Sequence, residues 1–167
     1  MNVLLALSIS ATLALFLGVL KQKKLVTPVI VLGLLAALTF NAMQWNNQTS
    51  IFNDMMLYNN FTVVFGGVGL FITLLMVLFY NELSAKHEYH LPEILAIMIY
   101  GTIGGIVLLS YRNMLMLFLG VEILSLSYYV LAGIRKQNLY SNEASLKYFL
   151  MGAFSTGFLL MGIACIS

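Results

Sequence analysis

This 167-residue sequence predicts an all-α fold, a polytopic bundle of transmembrane helices with its N terminus outside. Three observations carry that reading. Hydrophobic residues make up 61% of the chain and charged residues 8%, where a typical soluble domain is about a quarter charged. So few charges cannot hydrate the surface of a soluble globule, and so apolar a chain is not disordered. The apolar residues also gather into six continuous stretches, 2–20, 26–43, 61–80, 92–110, 114–133 and 144–166. Each is long enough, at about 18 residues or more, to cross a ~30 Å hydrocarbon core as a helix. None shows the alternation of a barrel strand, and without water a helix is the remaining way to pair every backbone group internally.

The first stretch is a span and not a cleaved signal peptide, because Lys21, Lys23 and Lys24 follow it whereas a signal peptide carries its charge ahead of the apolar run. The second span leads to the longest connection, 44–60. Its segment from Ile51 to Tyr58 is too apolar for a free loop and is expected to fold back on the outer side of the bundle. Gly66, Gly67 and Gly69 crowd the third span, Gly101 and Gly105 form a GxxxG step with Gly104 beside it in the fourth, and Ala153 and Gly157 repeat the small spacing in the sixth. Such residues let helix backbones approach closely in lipid and so favour a packed bundle.

Loop charge sets the orientation. Lys21, Lys23, Lys24, Lys86, Arg135 and Lys136 follow the first, third and fifth spans, and the opposite set of loops holds only Arg112. The positive-inside rule then places the six-charge set in the cytoplasm. Trp45, Tyr58, Tyr80, Tyr89, Tyr111 and Tyr140 flank the spans, as interfacial anchors do.

Sorting the charges by position isolates two residues. Glu122 occupies the middle of the fifth span and Lys147 the first turns of the sixth. An ionised group at the bilayer centre costs roughly 2.5–3.5 kcal/mol on insertion scales. Glu122 is therefore expected to face protein or water. Desolvation disfavours the carboxylate of a buried acid, which suits a group that binds and releases protons. Ser125 and Tyr129, three and seven residues on, share its helical face and can hydrogen-bond it or order water. The plainer reading is a neutral acid joining two helices. Lys147 lies only ~5 Å into its predicted helix and either snorkels to the interface or faces inward, in a relay with Ser145 and Tyr148. A depth difference of about 10 Å from Glu122 argues against a direct pair.

Other chemistry finds no support. Cys165 is the one cysteine, so neither a disulfide nor a zinc cluster is expected. His87, Glu88 and His90 fall in a short charged loop and read as solvated. The spans hold no histidine pair for haem and the chain no cysteine cluster for iron–sulfur centres. There is neither a P-loop nor a GxGxxG fingerprint. No cofactor, metal, nucleic acid or redox chemistry is expected of this chain itself.

The segment Phe118-Leu119-Gly120-Val121-Glu122-Ile123-Leu124-Ser125-Leu126-Ser127-Tyr128-Tyr129-Val130-Leu131-Ala132-Gly133 resembles the fifth helix of the subunit N family of bacterial NADH–quinone oxidoreductase, respiratory complex I. The run Glu143-Ala144-Ser145-Leu146-Lys147-Tyr148-Phe149-Leu150-Met151-Gly152-Ala153-Phe154-Ser155-Thr156-Gly157 is similar to that family's sixth helix, and the Glu-to-Lys separation fits as well. The first four spans match mainly in length, order and topology.

The resemblance implies an antiporter-like subunit of the membrane arm, surrounded by lipid and by other membrane-arm subunits in a hetero-oligomer of the bacterial inner membrane. Glu122 would be the central glutamate of its proton channel and Lys147 the supporting helix-six lysine. NADH, flavin, iron–sulfur clusters and quinone are expected in partner subunits. Family members are much longer and built on two inverted repeats, so a single transmembrane domain forming the N-terminal part of a longer subunit is expected. Relatives in Mrp-type cation/proton antiporters and membrane-bound hydrogenases share the helix-five glutamate and are the nearest alternative. A membrane scaffold is the alternative from another class; it would need no ionisable group at Glu122.

Overall fold

The computed structural model describes residues 2–20, 23–84, 91–135 and 137–166. Among the described residues, six helices are long and apolar enough to span a membrane. They are α1 (Asn2–Val19), α2 (Lys23–Met43), α3 (Asn60–Ser84), α4 (Leu91–Leu109), α5 (Met114–Ala132) and α6 (Leu139–Ile166), with a two-stranded hairpin, β1 (Thr49–Ile51) and β2 (Met56–Tyr58), between α2 and α3. The chain is therefore the all-α membrane bundle that its hydropathy predicts.

Short connections make sequence neighbours antiparallel neighbours. α1 packs on α2, α2 on α3, α3 on α4 and α4 back on α1, closing a four-helix ring. α5 then docks on α4 and α6 on α5. The ring's core follows from helical spacing. Val3, Leu7, Ala11 and Ala14 of α1 face Val26, Ile30, Leu34 and Ala37 of α2, and Leu95, Ile99 and Ile106 of α4 complete the cluster with Leu70 and Val77 of α3. Both sets step by four, four and three residues, the stripe that keeps one face of a 3.6-residue helix inward.

The connection between α2 and α3 does fold back onto the bundle. β1 and β2 pair antiparallel with Thr49 opposite Tyr58, and Phe52, Asn53 and Asp54 turn the chain with φ values of 54°, 52° and 64°. The left-handed region is open to Asn and Asp but unusual for Phe. The hairpin then seals onto the α4–α5 corner: Leu57 N–H donates to Ser110 O at 2.8 Å and Arg112 N–H to Met55 O at 3.0 Å. Below it Tyr58 is buried, and its hydroxyl donates to Asn41 Oδ1 at 2.8 Å while Asn41 Nδ2 donates to Val63 O at 2.7 Å.

Two expectations need correcting. The sixth helix starts at Leu139 rather than 144, because Asn138 caps it: its Oδ1 accepts from Tyr140 N–H at 3.0 Å. Lys147 thus lies ~12 Å into α6, not ~5 Å. The GxxxG step is also not where helices touch most closely. A Cβ on Gly104 would come within 2.6 Å of the Leu124 backbone, and one on Gly120 within 2.8 Å of the Leu108 backbone, whereas at Gly101 and Gly105 the neighbours stand at 3.5 and 3.7 Å. At Gly69 and Gly157 nothing among the described residues lies within 4 Å of such a Cβ. The loop carrying His87, Glu88 and His90 falls outside the described residues, as do Lys21, Lys86 and Lys136.

Candidate functional site

α5 is a 19-residue helix begun by Asn113, whose side chain accepts from Leu115 N–H, and ended at Gly133, whose N–H donates to Tyr129 O. Glu122 stands ~12 Å from its start and ~15 Å from its end. The side chain is partly buried and makes no hydrogen bond or ion pair with another described residue. Ser125 is likewise partly buried.

Tyr129 is the member of this face that the structure ties down. It is 7% exposed. Its ring meets Tyr148 edge-on at 4.8 Å and Phe149 at 5.8 Å, and its hydroxyl lies against Gly152, where no other side chain would fit. Aromatic pairs in this T-shaped arrangement add to plain area burial.

Two α6 serines lock the same seam. Ser145 Oγ donates to Tyr129 O and Ser141 Oγ to Ala132 O, at 2.8 and 2.7 Å. Ser141 satisfies one of the last carbonyls of α5, which a helix leaves without a partner of its own, and Ser145 adds a second bond to Tyr129 O beside that from Gly133 N–H. Ser145 thus turns toward α5 rather than toward Lys147. Ser141 went unnoticed in the sequence; its signal is a serine one turn before Ser145, on the same helical face.

These bonds fix the register of two antiparallel helices. Ser145 opposite Tyr129 sets Lys147 level with Ser127, and Gly152 level with Glu122, so Lys147 sits about five residues, ~7 Å, nearer the α5–α6 turn than Glu122. Lys147 Nζ pairs with Glu143 Oε1 at 2.5 Å on the exposed face of α6, with 70% of the lysine side chain accessible. Glu122 and Lys147 are not in contact. The structure therefore brings Tyr129, Ser145 and Tyr148 together, with Lys147 at the same depth on the exposed face of α6 and Glu122 about one turn beyond them along α5.

No group of three or more His, Cys, Asp or Glu stands together among the described residues. The chemistry that this arrangement offers is proton binding at one carboxyl, with hydroxyls and a cation spaced along an antiparallel helix pair.

Residues 111–167 match the family described as NADH:quinone oxidoreductase/Mrp antiporter, TM. Nearly the whole chain, 99% of it, is similar to NADH-quinone oxidoreductase subunit N of Cytophaga hutchinsonii at 40% identity and of Flavobacterium psychrophilum at 36%. It covers 36% of each of those relatives, so the chain spans about a third of the length of the proteins it matches. Among solved structures, a chain of respiratory complex I from Thermus thermophilus with bound aureothin matches at a TM-score of 0.78 and 26% identity, over 96% of this chain and 35% of that one. The fold and these likenesses are those of an antiporter-like membrane subunit. Within that class, this chain is similar along nearly its whole length to the NADH–quinone oxidoreductase subunit N proteins.

Proposed function

We propose that this chain is the N-terminal part of a proton-translocating membrane-arm subunit of NADH–quinone oxidoreductase in the bacterial inner membrane. NADH oxidation, through flavin and iron–sulfur clusters, and quinone reduction are assigned to partner subunits. The observation that carries the reading is Glu122, a carboxyl more than two turns from either end of a membrane-spanning helix. A charge moved nearby changes the proton affinity of such a group, which is how chemistry elsewhere in the arm would drive its loading and release.

The neighbours have definite parts in this scheme. Tyr129 carries its hydroxyl to Gly152, the α6 residue level with Glu122, where it can relay a proton or order a water. Ser125 stands one turn from the acid on the same helix. Ser145 and Tyr148 hold Tyr129 in place. Lys147 modulates the acid through the field of its charge rather than as a direct partner.

The test is Glu122→Gln in the assembled complex. NADH-driven proton pumping into sealed vesicles should be lost while the subunit remains assembled; unchanged pumping would show that Glu122 is a helix-joining acid in a scaffold. An Mrp-type antiporter or a membrane-bound hydrogenase is a second reading, favoured by a family description that names the Mrp antiporter over the residues holding Glu122 and Lys147. Co-purification of the full-length subunit with an NADH-oxidising module separates the two. A coding frame that continues past residue 167, with a lysine in the next helix, would support the longer antiporter-like subunit.

A further inference from the structure

Hydroxyl groups within the spans mostly bond their own helix. Ser127 Oγ donates to Ile123 O, Thr102 Oγ1 to Met98 O and Thr73 Oγ1 to Gly69 O, at 2.8, 3.0 and 2.9 Å. This local bond is how a short side chain satisfies itself where water is scarce. One face of α5 departs from the pattern. The side chains of Glu122, Ser125 and Tyr129 make no hydrogen bond with another described residue. At 3.6 residues per turn the three fall within an arc of about 60° and ~10 Å of helix.

Tyr129 is the most enclosed of them, with 7% of its surface exposed. Its ring holds the hydroxyl too far from its own backbone for the bond that Ser127 makes. A buried polar group left unpaired costs free energy, and such a group ordinarily marks a bound water. α6 fixes where the hydroxyl stands. Ser145 Oγ bonds the Tyr129 carbonyl, Tyr148 and Phe149 meet the ring edge-on, and Gly152 receives the hydroxyl. A Cβ on Gly152 would overlap both the hydroxyl oxygen and the ring carbon that bears it, whereas on Gly157 or Gly162 it would meet nothing within 4 Å among the described residues. Any side chain at position 152 therefore evicts the hydroxyl.

Direction gives that seat its meaning. Long side chains lean toward the N terminus of their helix, which for Tyr129 is toward Glu122, and Gly152 stands level with Glu122 in the antiparallel register. Hydroxyl and carboxyl thus approach without bonding directly. A buried water needs about two to four polar partners, and Tyr129, Glu122 and Ser125 supply three.

We infer that Gly152 is a positioning residue for proton transfer at Glu122: by carrying no side chain it seats the Tyr129 hydroxyl toward the acid, where one water joins the two. A phenol both donates and accepts, so the same water serves the acid charged and neutral. The inference rests on the reading of Glu122 as the proton-binding group.

The test is a cycle of variants in the assembled, full-length complex. Tyr129→Phe removes only the hydroxyl and leaves the Ser145 bond, which is made to the backbone. Gly152→Ala displaces the same hydroxyl. Each should lower NADH-driven pumping per assembled complex roughly two- to tenfold, the range of one hydrogen bond. The double variant should fall no further, because both changes remove one group. The infrared carboxyl stretch that disappears in Glu122→Gln should move to higher frequency in all three, as a carboxyl band does on losing a hydrogen bond. Should Gly152→Ala not assemble, Tyr129→Phe, which adds no bulk, still decides the matter. Wild-type pumping in Tyr129→Phe, additive losses in the double variant, an unmoved carboxyl band, or a side chain from elsewhere in the complex bonded to the Tyr129 hydroxyl would each overturn the proposal. Full pumping in Glu122→Gln is a different failure, since it removes the reading on which this one stands.

Discussion

The α1–α4 ring and the α5–α6 pair are built on opposite plans. In the ring, four helices share one apolar cluster, and half of the α4 span is buried. In the pair, α5 leans on α4 through glycines, and α6 has no fully buried residue among those described. Both ionisable residues deep within the helices, Glu122 and Lys147, lie in the second region. An apolar ring tolerates no unpaired charge, whereas a helix pair held by backbone contacts, serines and edge-on aromatics leaves room for one. The packed apolar core and the deep ionisable side chains are thus placed in different parts of the same chain.

That division can be broken most severely at the joint between the halves. Gly120→Leu pushes a side chain into the α4 backbone, which has no rotamer to yield; overpacking costs about 1–3 kcal/mol even where side chains can move. The variant subunit should be absent from the assembled complex on native gels, while the same change at Gly69 should be tolerated. Next in size, Glu122→Gln should abolish pumping and leave the thermal stability of the complex within about 0.5 kcal/mol of wild type, the range of substitutions away from packed features. A large loss of stability there would mean that the acid is structural.

Smaller effects sharpen the ring's side of the comparison. Tyr58→Phe leaves the buried Asn41 Oδ1 without its donor, a cost of about 1–3 kcal/mol. Burial pushes the Tyr58 hydroxyl up from 10.0 to about 12. The folded state therefore holds this proton more tightly than the unfolded one. Hairpin docking should be intact below pH 10 and weaken as the pH climbs toward 12, a step visible in tyrosinate absorbance and missing in Tyr58→Phe. The smallest effect is expected of Lys147→Ala, whose exposed pair with Glu143 is worth about 0.3–0.5 kcal/mol. Its pumping rate should fall less than that of Glu122→Gln.

Hydropathy made the six spans legible, because lipid solvation demands some 20 apolar residues in a row. It placed the start of α6 poorly, since a capped helix runs on into the polar turn 139–143. The hairpin was legible only as a segment too apolar to hang free; strands of three residues carry too little alternation to be seen. Glu122 announced itself as an acid within an apolar run. The clasp of Asn41 and Tyr58, separated by 17 residues in sequence, and the Ser141 and Ser145 bonds to α5 were hidden, because each needs a partner that only the tertiary register supplies. Glycine spacing pointed to close packing and missed its place, as a GxxxG pattern does not say which face meets the neighbour.

The Gly104–Gly120 seam also fixes a height. At that level backbones in direct contact leave no compliant side chain between α4 and α5, which resists sliding of one past the other. Membranes differ in thickness by a few ångströms, and a lone helix adjusts by tilting or shifting. Glu122, two residues beyond Gly120, is instead carried with α4 and through it with the whole ring. Its distance from each surface is therefore expected to follow five helices acting together, so that a change in bilayer thickness moves the acid less than it would move a lone helix.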